Sequence, residues 1–176
     1  MFEDYLEDSY YFMEKASSQS NPNDAKRYYR VSVFCAMSAI EAFVNYVGDA
    51  FAQSGSLEPC EIAFLTDRQF VPIRGKFEIL ESMEYHRLED KLKFLICRFI
   101  PSFNFNKTPC WGRLIEFKKF RDSLTHPRQD EDETQLLEYK TITAKGLSSI
   151  IEIMNHLCTG IFGRPLRKKL LDLKIY

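Results

Sequence analysis

Residues 31–47 read VSVFCAMSAIEAFVNYV, an almost unbroken apolar run whose polar exceptions are Ser32, Ser38, Glu41 and Asn45. The run sits inside a longer helical stretch, residues 25–52. A helix that is apolar on nearly every face has no side to offer to water. It has to stand at the centre of other helices, and the remaining chain has to supply them.

The rest of the sequence does so. Phe2, Tyr5, Leu6, Tyr10, Met13 and Ala16 recur at helical spacing and predict a first amphipathic helix over residues 2–17. Asn21-Pro22-Asn23 marks the turn and capping region before the central helix. Leu88, Leu92, Leu95 and Phe99 form a stripe over residues 88–99, which Pro101 ends. Thr108-Pro109 reads as an N-cap followed by proline at the first helical position, opening a helix that runs from Trp111 towards His126. Residues 144–161 predict a last bundle helix, and residues 165–173 a short basic helix or tail. Between the central helix and residue 88, residues 55–67 hold a short helix opened around Ser56 or at Glu58-Pro59. Val71-Pro72-Ile73-Arg74-Gly75-Lys76 breaks any helix, and residues 77–80 can be extended. The fold expected is all-α: an up-and-down bundle of four or five helices with a small irregular insertion over residues 55–86, in which a short hairpin has room, and a short C-terminal helix. A length of 176 residues suggests one domain with a real core, closed by a basic tail over residues 164–176.

Composition narrows the function classes. The net charge is −1, so nucleic-acid binding has to rest on a local patch rather than on the whole molecule. No run of 18 apolar residues suggests a membrane span, and the acidic start (Glu3, Asp4, Glu7, Asp8) argues against a secretory signal. The five cysteines, Cys35, Cys60, Cys97, Cys110 and Cys158, are odd in number and irregularly spaced, with no C-x-x-C pair. They read as reduced thiols of a cytoplasmic protein, with no zinc site or disulfide framework. The three histidines have no i, i+3 or i+4 pairing, and no glycine-rich phosphate loop is present. Neither a metal nor a cofactor is expected.

Chemistry concentrates at the end of the Trp111 helix, in Lys118-Lys119-Phe120-Arg121-Asp122-Ser123-Leu124-Thr125-His126-Pro127. On a helical wheel of about 100° per residue, Trp111, Leu114, Ile115, Phe117, Phe120 and Leu124 form a wide apolar arc. Arg121 falls inside that arc, and a guanidinium aimed at a packed face needs a partner. Glu41, at the rim of the central helix, is one candidate, with Asn45 a turn further on. Asp122 is another, and from four residues before His126 its carboxylate can orient the imidazole. Pro127 pushes His126 out of the helical region, so the helix ends within two residues of it. Lys118, Lys119 and Arg128 surround the motif with positive charge.

The Arg121-Asp122…His126 pattern, four residues between Arg and His, resembles the HEPN family, whose motif is an Arg followed by a polar residue and then a His. The central stretch Ala-Ile-Glu-Ala-Phe-Val-Asn, carrying Glu41 and Asn45, is similar to the second helix of many HEPN proteins. The resemblance covers roughly residues 2–160. It implies a metal-independent endoribonuclease of the kind found in toxin–antitoxin or phage-defence systems, acting as a homodimer with the motif facing across the interface. Arg121, Asp122, His126 and Glu41 would then be catalytic, Asn45 supporting, and Lys118, Lys119 and Arg128 RNA-binding. Such chemistry needs a base for the 2′-hydroxyl, an acid for the leaving oxygen and a cation on the phosphate. A single histidine fills one proton role, and a second His126 from a twofold partner fills the other. The alternative within the family is a non-catalytic module that binds RNA or a partner protein such as an antitoxin. A plain helical scaffold, with Arg121 paired to Glu41 or Asp122 and His126 capping the helix, is the third reading.

Other features read as structure. His86 lies in polar surroundings and is expected at the surface, and His156 is expected to be a hydrogen-bonded bundle histidine. Trp111, Phe117 and Phe120 have core spacing rather than that of a base-stacking platform. Arg164, Arg167, Lys168, Lys169 and Lys174 form a second basic run.

Overall fold

A computed structural model describes residues 1–126 and 135–173. Among them the chain is mostly helical, with seven helices and one two-stranded antiparallel sheet. The helices are α1 (Phe2–Ser17), α2 (Pro22–Ser54), α3 (Pro59–Leu65), α4 (Leu88–Phe99), α5 (Pro109–Thr125), α6 (Leu136–Phe162) and α7 (Lys168–Leu171). The strands are β1 (Arg68–Ile73) and β2 (Lys76–Met83). The chain gathers into two compact units, residues 1–40 with 102–176 and residues 41–101, and α2 contributes one half to each.

In the first unit α1 and α2 meet through two small residues. Ser9 and Ser32 are fully buried, and each hydroxyl donates to the other's backbone carbonyl, at 2.9 and 2.7 Å. Buried hydroxyls need such partners, and their small size lets the two backbones approach. Phe12 stacks on Tyr28 a turn away. α6 carries the largest apolar face, with Leu147, Ile150, Ile153, Met154 and Leu157 wholly enclosed. It begins eight residues before the expected residue 144. The added turns hold the β-branched run Thr141-Ile142-Thr143, a weak helix signal on its own. Packing overrides that propensity: Thr143 is fully buried, and the Tyr139 ring meets the edge of Phe120 at 5.1 Å. α6 ends at Gly163, whose φ of +65° closes the helix in the left-handed region that glycine adopts without strain.

The tail is tied down. The Asn155 side chain accepts from the Leu166 backbone N–H at 2.9 Å, and Leu166 and Leu170 are buried. Arg167 pairs with Glu3 at 3.1 Å, and Lys169 pairs with Glu7 at 2.7 Å and Glu3 at 3.4 Å. Two members of the C-terminal basic run, Arg167 and Lys169, therefore pair with the acidic first helix, and Lys174 lies outside the described residues.

In the second unit α3 starts at Glu58-Pro59, with a capping box in which the Glu61 carboxylate accepts from the Glu58 N–H at 2.9 Å. A Cβ on Gly48 would lie 3.2 Å from Leu65, so α2 and α3 run close at that glycine. Phe51 and Phe99 stack at 4.9 Å. The segment expected to be a small irregular insertion with room for a short hairpin contains an ordered one, so the chain is mostly helical with a small two-stranded sheet. Its two-residue turn, Arg74-Gly75, has φ of +49° and +80°, the primed turn whose twist matches that of the strands. Phe70 pairs with Ile79 and Pro72 with Phe77, so these four share one face.

By length and composition α2 is the one described helix long and apolar enough to cross a membrane. In the protein 56% of that apolar window is buried.

Candidate functional site

α5 begins in the core and ends at the surface. Pro109 occupies the first turn, where its missing N–H costs nothing. Cys110, Trp111, Leu114 and Phe117 are buried, whereas Phe120, Arg121 and Leu124 are half-buried and Thr125 and His126 are exposed. The helix ends at Thr125, as the residue-before-proline rule requires. His126 leaves it at φ −127° and ψ 66°, and its backbone N–H still donates to the Asp122 carbonyl at 3.0 Å.

Arg121, Asp122 and Lys118 form a small ion network. Arg121 Nε lies 2.9 Å from one Asp122 oxygen, and Lys118 Nζ lies 3.1 Å from the other. One carboxylate beside Arg121 is thus its own neighbour in sequence. Two consequences bear on the sequence reading, and the first corrects it. Asp122 is occupied by two cations, and no bond from its carboxylate to the His126 ring is found. Among the described residues that ring enters no hydrogen bond or ion pair. Second, the Arg121 side chain keeps 26% of its exposure and its Nε is buried, so a largely covered guanidinium has a carboxylate within reach.

Of the remaining candidates, Lys119 is exposed beside the network, and Arg128 lies outside the described residues. Glu41 and Asn45 belong to the second unit, where Glu41 is half-buried and Asn45 is exposed. Asn45 therefore does not serve as a core hydrogen-bonding group.

The structure also assembles a polar cluster that sequence reasoning missed. Lys91 is buried, and its Nζ lies 2.6 Å from Asp67, whose other oxygen accepts the His86 backbone N–H at 2.8 Å. His86, expected at the surface, keeps 24% side-chain exposure with its ring edge-on to Phe64 at 4.5 Å. Asp67 adopts a left-handed φ of +54°, which aspartate tolerates better than most residues. The three residues span 24 positions without periodicity, and an isolated Asp before a strand carries no sequence signal of burial. The cluster latches the hairpin exit to the start of α4. His156, expected to have a hydrogen-bond partner in the bundle, is exposed and meets the ring of Phe103 edge-on at 5.6 Å.

Burial pushes the thiols of Cys35, Cys110 and Cys158 above their ordinary value, while Cys60 and Cys97 are exposed. Among the described residues no group of three or more His, Cys, Asp or Glu is arranged to hold a metal ion. Comparison with protein-family models, with curated proteins and with solved structures returned no match.

Proposed function

We propose that this chain is a HEPN-type, metal-independent endoribonuclease of the cytoplasm, built on an up-and-down helical bundle and belonging to a toxin–antitoxin or phage-defence system. One observation carries the reading: the end of α5 presents a carboxylate-held guanidinium together with an exposed imidazole that no described residue engages. Arg121 and Lys118 would hold a phosphodiester by charge-assisted hydrogen bonds, with the planar guanidinium contacting two phosphate oxygens. The His126 imidazole would take the proton of the neighbouring 2′-hydroxyl. The 2′-oxygen then bonds to phosphorus, the bond from phosphorus to the 5′-oxygen breaks, and a 2′,3′-cyclic phosphate is left. The departing 5′-oxygen needs a proton, which the His126 of the partner subunit supplies in a twofold homodimer. No metal or cofactor enters the scheme.

Cleavage of single-stranded RNA in EDTA tests it. His126→Ala and Arg121→Ala should each slow cleavage by at least about 100-fold, the lower range for loss of a general acid–base group. The wild-type product should end in a cyclic phosphate. Undiminished cleavage by His126→Ala removes the reading. Sedimentation at micromolar concentration should give a dimer, and a monomer there removes the two-histidine scheme.

A second reading is favoured by the occupation of Asp122. With its carboxylate drawn to Arg121 and Lys118, His126 lacks an orienting partner, as suits a non-catalytic module that binds RNA or a partner protein such as an antitoxin. RNA binding without cleavage by the wild type supports it.

A further inference from the structure

A groove of about 420 Å³ runs between α5 and α6 in the first unit. Arg113 closes it from α5, and Leu137, Lys140, Thr141, Ala144 and Lys145 line it from α6. We infer that this groove is an accessory track for the backbone of single-stranded RNA, continuing the strand held at Arg121 and His126. The inference rests on the ribonuclease reading for its destination but not for its binding chemistry.

Charge comes first. Among the described residues Lys140 and Lys145 enter no salt bridge, and both are exposed. Arg113 is paired: its Nη2 serves both Glu152 oxygens, at 2.8 Å each, and Ser148 donates to the same carboxylate at 3.0 Å. This end-on pairing immobilises the guanidinium while Nη1 stays without a bond among the described residues, so a pre-set donor remains for an anionic oxygen. Glu152 cancels about one of the three positive charges, and Lys140 and Lys145 keep theirs. They are separated by about 7.5 Å of helix rise. They also lie about 140° apart round α6, on the two sides of the groove, so each can meet a separate phosphate of one strand.

Direction comes second. The Phe120–Tyr139 contact puts the Lys140 end of the groove level with the Arg121 end of α5. The Arg113 end lies about 12 Å further back along the same helix. Arg121 lies about 80° round α5 from Arg113, so the path from the groove to the α5 motif bends round the helix, which a flexible polymer can follow and a compact anion cannot. Thr141 donates its hydroxyl proton to the Leu137 carbonyl at 2.8 Å, which leaves its oxygen to accept from a ribose 2′-hydroxyl, and Leu137, 71% exposed, offers an apolar step for a base or sugar.

The full chain carrying His126→Ala, which keeps the RNA whole, is titrated against a short fluorescein-labelled single-stranded RNA of mixed sequence by anisotropy. Lys140→Gln/Lys145→Gln should weaken binding severalfold at every sequence and flatten the salt dependence of log K by about 1.4, two phosphate contacts at about 0.7 each for single strands. Arg164→Gln/Lys168→Gln, at the far end of the chain, should leave both quantities unchanged. Equal losses from the two pairs would show a diffuse charge effect and overturn the track, as would an unchanged salt slope in the groove variant. Displacement of the RNA by polyglutamate at matched ionic strength would assign the groove to an acidic peptide and also overturn it. In the His126-containing protein the groove variant should raise KM with kcat retained. Absence of cleavage by the wild type would defeat the ribonuclease reading alone, since the anisotropy result stands without it.

Discussion

The pairing of α5 with α6 and the β1–β2 hairpin are held in opposite ways. In the helix pair the Phe117 ring lies flush against Gly146: a Cβ at residue 146 would fall inside the ring, and Phe117 is fully buried. Glycine inside a helix costs about 1 kcal/mol against alanine, and here the close helix approach offsets that cost. The hairpin has no comparable interlock. Phe77, Ile79 and Met83 are 66, 42 and 47% exposed, and a two-stranded ribbon is marginal by itself in water. What fastens its base is polar: Asp67 accepts from Lys91 and the His86 backbone, and the Asp67 carbonyl accepts from the Glu84 N–H at 2.9 Å. One region is specified by shape and the other by a charge pair. Shape complementarity resists any change of volume, whereas a charge pair resists only the loss of one member.

The largest expected effect breaks the interlock. Phe117→Ala should cost about 3–5 kcal/mol, because the ring's burial is lost and a cavity remains beside Gly146. Phe77→Ser in the hairpin should stay within about 0.5 kcal/mol, as surface changes generally do. Urea unfolding of both variants compares them directly, and equal losses would erase the distinction between the regions.

Next comes the latch. Asp67→Asn leaves the Lys91 ammonium, with a 4% exposed side chain, beside a neutral amide. Breaking one side of a buried pair costs about 3 kcal/mol. Removing both charges with Asp67→Asn/Lys91→Met should recover most of it. A double variant as unstable as the single would mean that the hydrogen bond to the His86 backbone, rather than the ion pair, holds the hairpin.

The smallest effect separates the regions by their thiols. Cys35, Cys110 and Cys158 belong to the first unit, and burial raises each above the ordinary value of 9.0. Well below pH 9 these thiols are protonated in the folded and unfolded chains alike and contribute no pH dependence. Above it the unfolded chain releases protons that the folded chain retains, so stability should fall as pH rises past 9. Cys60 and Cys97, exposed in the second unit, should take up iodoacetamide first. Mass mapping after a brief exposure at pH 8 checks that order, and early labelling of Cys110 or Cys158 would contradict their burial.

Local sequence determined the element list wherever one signal acted alone. Thr108-Pro109 and the residue before Pro127 set both ends of α5, Glu58-Pro59 opened α3, and Arg74-Gly75 turned the chain back on itself. Periodicity placed Leu114 and Phe117 in the core, and the same wheel put Arg121 among apolar residues that need a charged neighbour. Tertiary structure decided what depends on distant partners. The first turns of α6 became helical because Tyr139 and Thr143 found a packed face that their own propensities do not encode. Arg167 and Lys169 of the basic tail found Glu3 and Glu7, more than 160 residues away, so part of a basic run became an ion-paired seam. Asp122 turned to Arg121 and Lys118 instead of His126, a choice among neighbours one and four residues away that only side-chain geometry makes. Backbone propensity and hydrophobic period are local and additive along a chain. Charge pairing and close packing depend on which surfaces meet, and that is established only when the chain has folded.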